Sequence, residues 1–463
     1  MRSLLLGSLL IIASILGATS KAEAIPAFAR RYGTSCQTCH IAFPKLTPFG
    51  EAFRRDGYKF PGQEEDFVKQ EQVPLGQEAY RQMFPNAVWP GTLPASPPLA
   101  LGFNGFVTIH PSKSSGSAQA DNGSVITLQN LVQEAHLWAG GAFSEHIAYY
   151  GEVTFSGGGT DIEHAELHFN DLGVSSHLVN IFVGRGVPNL TSFAPHSSYI
   201  ADTILPSISV TALYGATTDS FSTMGQYNLM ELNGMYRGHF IYSLGANSGS
   251  NLDTRTTENV TGHVGFKVGG MRLDGEGEST GSTGNGQKPW EETALTVDAF
   301  GYRSASHLNF ANGVDPTMPI VQDDLTYVLG GHVRGTVGSF ELNSGLFQEW
   351  HNHATAAGIG VKALSQYDEL SYILFPWLVP AVRMEYVSLL PDGGARINDL
   401  LFIVGAACLV RPNLKVTLTG LIEHSNGVPD AGSWSAGSDG FAMPTAGAVT
   451  EFEAIQIGLS FAL

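Results

Sequence analysis

The chain has little charge, almost no cysteine and, beyond its first residues, no long apolar run. Charged residues make up 14% of its 463 positions, against about 25% in a typical soluble domain. A surface so poor in charge need not all face water. Three cysteines are too few for a disulfide framework, and no second cysteine pair exists to complete a zinc ribbon. After residue 24 no apolar stretch approaches the ~18 residues of a helical span, which excludes a bundle of membrane helices. No Ser-His-Asp order, phosphate-binding glycine loop or H-E-x-x-H helix occurs. Hydrolytic enzyme classes therefore have no support, and no catalytic residue is assigned.

Glycine is abundant at 55 residues, aromatics make up 10%, and the mean hydropathy is +0.03. Residues 1–24 read as a secretory signal: Arg2, an uncharged apolar run from Leu4 to Leu16, and the cleavage-type sequence Ala22-Glu23-Ala24. The mature chain is expected to begin at Ile25. Residues 25–98 hold 8 basic and 7 acidic residues, whereas 99–463 hold 14 and 34. So acidic a body repels nucleic acid and attracts cations.

Residues 25–98 form one segment, rich in proline and ending in a Pro-rich linker from Pro85 to Pro98. Short helices are expected near Phe49–Asp56 and Glu64–Gln72. About 70 residues is small for an independent core, so a cofactor or a surrounding wall must supply stability. From Leu99 the texture changes to period-two alternation broken by turn residues. Ile455, Ile457, Leu459, Phe461 and Leu463 alternate with Ala454, Gln456, Gly458, Ser460 and Ala462. Strands are expected near 99–110, 128–139, 146–156, 162–170, 178–185, 227–237, 239–247, 260–269, 293–302, 323–335, 339–349, 366–374, 379–388, 398–409, 413–423 and 451–463. Sixteen is an even number, as a single-chain bacterial barrel requires. The fold class is thus an all-β membrane protein: a transmembrane antiparallel β-barrel over 99–463 with a small helical plug over 25–98. Stretches 112–123, 248–259, 275–291 and 425–449 read as extracellular loops. A soluble sandwich or propeller is the alternative, but it would not need so few charges or an apolar terminal strand.

Cys36-Gln37-Thr38-Cys39-His40 has the C-x-x-C-H form that attaches a c-type haem. Cys36 and Cys39 would form the thioether bonds and His40 would bind the iron. A redox disulfide or half of a zinc site are the competing readings. Cys408, far away in an apolar stretch, reads as an inert packed residue. The far haem ligand is open: Met83 is one candidate, since thioether ligation raises the potential, and a histidine from the barrel wall is another. Two lumen faces stand out. Glu134, His136 and Trp138 alternate with apolar Ala135 and Leu137; His164, Glu166 and His168 alternate with Ala165, Leu167 and Phe169. Pleating turns the polar sets inward. Carboxylates and imidazoles two residues apart on one face can hold a transition metal, or simply form a hydrated wall against the plug.

The run from Ile25 to Gly50 contains Pro26-Ala27-Phe28-Ala29-Arg30, Gly33, the C-x-x-C-H motif and Phe43-Pro44-Lys45-Leu46-Thr47-Pro48-Phe49-Gly50, followed by Phe53 and Gly57-Tyr58. It resembles the fused monohaem cytochrome–porins of bacterial outer membranes. That resemblance implies one covalent haem c in a plug inside a sixteen-stranded outer-membrane barrel. It also implies electron transfer between extracellular Fe(II), or another redox substrate, and a periplasmic carrier such as a soluble c-type cytochrome. Outward electron flow to metals is an alternative direction. A porin for small cations, with a structural or sensory haem, is an alternative of another class. The chain departs from the family pattern at Glu51-Ala52-Phe53-Arg54-Arg55-Asp56, where a more basic run is expected.

Overall fold

Period-two alternation gives each strand one apolar and one polar face, and the strands close into a single sheet with the polar faces inward. The structure, a computed structural model, describes residues 27–60, 68–69, 71–74, 82–86, 92–94, 98–110, 125–128, 130–144, 146–173, 175–248, 259–275, 290–312, 318–426 and 449–462. The wall consists of β1 (Leu99–His110), β2 (Glu134–Ser144), β3 (Ile147–Ser156), β4 (Gly159–Phe169), β5 (Asn180–Gly186), β6 (Tyr227–Tyr236), β7 (Phe240–Asn247), β8 (Asn259–Gly269), β9 (Glu292–Phe310), β10 (Ile320–Gly338), β11 (Phe340–His351), β12 (Val361–Tyr372), β13 (Leu378–Pro391), β14 (Ile397–Arg411), β15 (Leu414–Asn426) and β16 (Val449–Ala462). Every neighbouring pair is antiparallel, and β16 returns to β1 with Ile455 opposite Ile109 and Ala462 opposite Gly102. A short strand, Val125–Thr127, extends the β1 edge. All sixteen expected strands are present. The largest offsets are in β9, which runs to Phe310 rather than ending near 302, and in β2, which begins at Glu134 rather than near 128.

The barrel is apolar outside and polar inside. On β11 and β14–β16, Leu342, Leu346, Val404, Leu418, Ile422 and Leu459 are 41–57% exposed, while Glu341, Asn343, Thr419 and Glu423 are buried. An outward apolar band over polar inward residues is the pattern of a lipid-embedded barrel. Among the described residues, no helix is long and apolar enough to cross a membrane.

Strand alternation corrects one expectation. The stretches 248–259 and 275–291 flank the single strand β8, so they leave opposite ends of the barrel and are not both extracellular. Stretch 275–291 shares its end with the one- and two-residue turns β10–β11 and β14–β15 and with the last residues of β16. Short turns mark the periplasmic end of such barrels. Of the expected helix Glu64–Gln72, most lies outside the described residues, and Gln72 opens a short strand, Gln72–Pro74. Residues 1–24 lie outside them too.

The 40 residues between β5 and β6 fold into the lumen. Ser192, Ser197, Ile204, Leu205 and Ile208 are all buried. The N-terminal segment docks against this inner loop and the wall. It contains α1 (Ala27–Tyr32), the single turn α2 (Cys36–Cys39), a two-stranded hairpin (His40–Ala42 with Lys45–Leu46) and α3 (Pro48–Arg55).

Candidate functional site

Local sequence dictates the geometry around Cys36. Ser35 caps α2, its side chain accepting from the Gln37 N–H at 3.3 Å. One helical turn sets Cys36 and Cys39 three apart, on one face. His40 leaves the helix in extended conformation, its own N–H donating to the Cys36 carbonyl. The His40 Nδ1–H donates to the Pro44 carbonyl at 3.1 Å, which leaves Nε2 as the nitrogen with a free lone pair. Burial pushes the imidazole down to about 4, so it is neutral. Thr47 fixes the next turn: its N–H donates to the Cys39 carbonyl at 2.9 Å, its hydroxyl donates to the Thr38 carbonyl at 2.9 Å, and the hydroxyl oxygen accepts from the Gly50 N–H at 3.0 Å. A side chain at Gly50 would start 2.1 Å from the Cys39 carbonyl oxygen, so only glycine lets α3 lie this close.

The donor set fits a covalent c-type haem: two free thiols on one helical face and a neutral, oriented imidazole. It fits the competing readings poorly. A redox C-x-x-C depends on a depressed thiol pKa, whereas burial raises both thiols here, Cys39 to about 12. A zinc site needs converging ligands, and among the described residues Cys36, Cys39 and His40 belong to no such group. Met83 is 71% exposed. Cys408 is half-buried on β14.

The segment is held by buried polar contacts. Lys45 is fully buried; it pairs with Glu341 of β11, donates to the Ser197 carbonyl at 3.1 Å and lies 4.5 Å from the Tyr199 ring. The Ala194 N–H donates to Glu51 at 3.0 Å, and Arg55 donates to the Ser192 and Leu273 carbonyls. At the short-turn end the Asp56 carboxylate lies 3.2 Å from His177 Nδ1, and this pairing holds His177 up at about 9. The lone lysine of the Phe43–Gly50 motif carried no sequence signal for this role.

The arc β2–β4 carries the titratable residues singled out from the sequence, all on the lumen side. Glu134, His136, His164, Glu166 and His168 face inward, while Leu137 and Leu167 are exposed outside. His136 Nδ1 lies 3.0 Å from Glu152 and 3.0 Å from Thr154. Glu166 accepts from His164 and, at 2.8 Å, from His168. Tyr150 donates to Glu152 at 3.0 Å. Beside these contacts lies a cavity of about 210 Å³, lined by Arg54, Tyr58, Tyr150, Glu152, His164 and Glu166 among others. Tyr58 of the plug stacks on Tyr150 with ring centroids 4.8 Å apart.

Two features were not legible in the sequence. The β3–β4 register shifts so that Glu152 faces His164 while Val153 faces Ile162. Glu163 is therefore the extra residue of a β-bulge, and bulges re-aim side chains. Ile162 stays outside, 51% exposed, and Glu163 joins His136 and Glu152, their ligand atoms all within 4.8 Å of one another. Strict alternation would have sent it outward with Ala165. Elsewhere Asp298 sits between His263 and His332 at 2.9 and 3.0 Å and holds the inner loop through Ser192. Those four residues come from three strands and a loop.

Closed antiparallel topology, outward apolar band and inward-folded loop define a transmembrane β-barrel of porin architecture. A solved structure supports this at the level of fold. An anion-selective porin from Comamonas acidovorans is similar with a TM-score of 0.51 at 12% identity, covering 79% of this chain and 98% of that one. An OmpT outer membrane protein of Vibrio cholerae is similar with a TM-score of 0.47 at 14% identity, covering 79% and 99%. No protein-family model and no curated protein matches the chain.

Proposed function

We propose that this chain is an outer-membrane haem protein that carries electrons across a plugged porin-type barrel, from extracellular Fe(II) to a periplasmic carrier. The observation that supports it most is His40: its Nδ1–H is committed to Pro44, and its Nε2 is left free beside two thiols on one helical turn. The motif resemblance around it points the same way. When bound, haem c supplies a one-electron couple whose potential follows its axial ligands and burial. The chain's own residues do the rest. Cys36 and Cys39 hold the group covalently, and His40 presents a neutral nitrogen in fixed orientation. Lys45, Glu51, Arg55 and Asp56 lock the segment into the lumen, closing the pore to solutes. The acidic body raises the local concentration of divalent cations.

Purified protein should stain for covalent haem on a denaturing gel and show Soret absorbance, both lost in Cys36→Ser/Cys39→Ser. Anaerobic Fe(II) should reduce the haem. A colourless protein, or one with large open-pore conductance in liposomes, overturns the reading in favour of a simple channel.

A further inference from the structure

His136, Glu152 and Glu163 meet on the lumen wall in the half of the barrel nearer the long loops. Glu134, two residues before His136, is where β2 begins at that end. Three different strands supply the set, and it exists only because of the β4 bulge. His136 and Glu152 are 13% and 11% exposed at the side chain, so the group faces the lumen without being dry. Imidazole with two carboxylates suits a first-row divalent ion such as Fe(II) or Mn(II). The charges around the group include Glu134, 3.6 Å from His136, and His164, 4.0 Å from Glu152. A divalent cation would relieve the repulsion among these carboxylates.

A second, independent observation gives this group a direction. The His136 ring is stacked on Trp138 at 5.3 Å with 1° between planes. Trp138 meets Phe43 of the plug at 5.9 Å, and Phe43 meets His40 at 5.2 Å. Gly102, opposite His136 on β1, makes this possible, because a Cβ there would lie 1.9 Å from the Trp138 ring. Four rings in contact thus run from the His136–Glu152–Glu163 group to the imidazole of the C-x-x-C-H motif.

We infer that His136, Glu152 and Glu163 form a binding site for one divalent transition-metal ion, and that Trp138 and Phe43 are the route by which its electron reaches His40. The site stands on this chain's own residues; the route rests on the haem reading above. With Fe(II) as the occupant, the ion would give up one electron and become Fe(III), and a haem held by Cys36, Cys39 and His40 would supply the one-electron acceptor; no bond to the protein would form or break beyond release of the ion. Trp138 and Phe43 are positioning residues, acting between the two ends.

The test uses purified holoprotein in detergent under anaerobic conditions, with Mn(II) as the binding probe read by electron paramagnetic resonance. Wild type should take up one Mn(II) equivalent at this site. Glu163→Gln and Glu163→Asp, each checked for folded gel mobility, should weaken uptake by about tenfold or more. Trp138→Leu, assayed at an Fe(II) concentration that saturates its own site as read by Mn(II) competition, should slow the appearance of reduced haem, with Trp138→Phe recovering part of the rate. Unchanged Mn(II) uptake in both folded Glu163 variants removes the site. An unchanged reduction rate in Trp138→Leu removes the route. A protein that binds Mn(II) as expected but lacks haem would sink the haem reading and leave the metal site standing.

Discussion

Two arcs of the same barrel wall face inward with different balances of charge and apolar surface; even the more apolar one, β13–β14, buries the Arg383–Glu385 pair. On β2–β4 the inward positions are mostly Glu, His, Tyr and Trp, several of them bonded to one another beside a cavity. On β13–β14 they include Val387, Leu389, Leu401, Ile403 and Ala407, all nearly fully buried in one cluster with Ile41 and Ala42 of the plug and with Ile204, Leu205 and Ile208 of the inner loop. A pore wall has no reason to be apolar inside unless something dry rests on it. The second arc is therefore a docking surface that gains stability from burial. The first leaves charge and water near the lumen at a cost in stability, as functional sites commonly do.

This contrast can be broken or sharpened by substitution, read as the urea midpoint of folded gel mobility and as proteolytic release of the plug. The largest effect is expected at Lys45, which bridges plug and wall: Lys45→Ala removes one partner of a buried pair and should cost about 4 kcal/mol. On the apolar arc, Leu401→Ala deletes a fully buried side chain and should cost about 3 kcal/mol. His177→Ala should cost about 1 kcal/mol near neutral pH. His177 is raised in the folded state from its usual 6.5 to about 9, so its contribution is complete below about pH 6.5 and drains away as pH rises through about 9. Wild type and His177→Ala should converge above that pH; a gap that persists would remove the Asp56–His177 pair as the cause. The smallest stability effect is expected on the first arc: Glu163→Gln should stay within about 1 kcal/mol. A loss there as large as at Leu401 would mean the two arcs do not divide labour.

How far the sequence revealed this depends on periodicity. The sixteen strands were legible because every second residue had to be apolar against lipid, a local rule that survives without any knowledge of the partner strand. The inward direction of Glu134, His136, His164, Glu166 and His168 followed from the same rule. Glu163 did not, because a bulge is a property of two strands in register rather than of one. The inner loop 187–226 was missed because its apolar residues, such as Ile204 and Ile208, follow no strand period and find their use only inside the barrel. On β14 both faces are apolar, Phe402 and Val404 outward and Leu401 and Ile403 inward. Composition there shows burial on two sides without naming what covers the inner one.

By itself the chain determined a closed membrane barrel and the C-x-x-C-H motif with its flanking pattern, because alternation and short covalent motifs are written in neighbouring residues. Only the tertiary structure decided that Lys45 meets Glu341, that Asp56 meets His177, and that His136, Glu152 and Glu163 converge in line with Trp138, Phe43 and His40. Most of those contacts join residues more than ten positions apart, up to hundreds, and they depend on strand register and on how the plug sits against the wall, which no single stretch of sequence specifies.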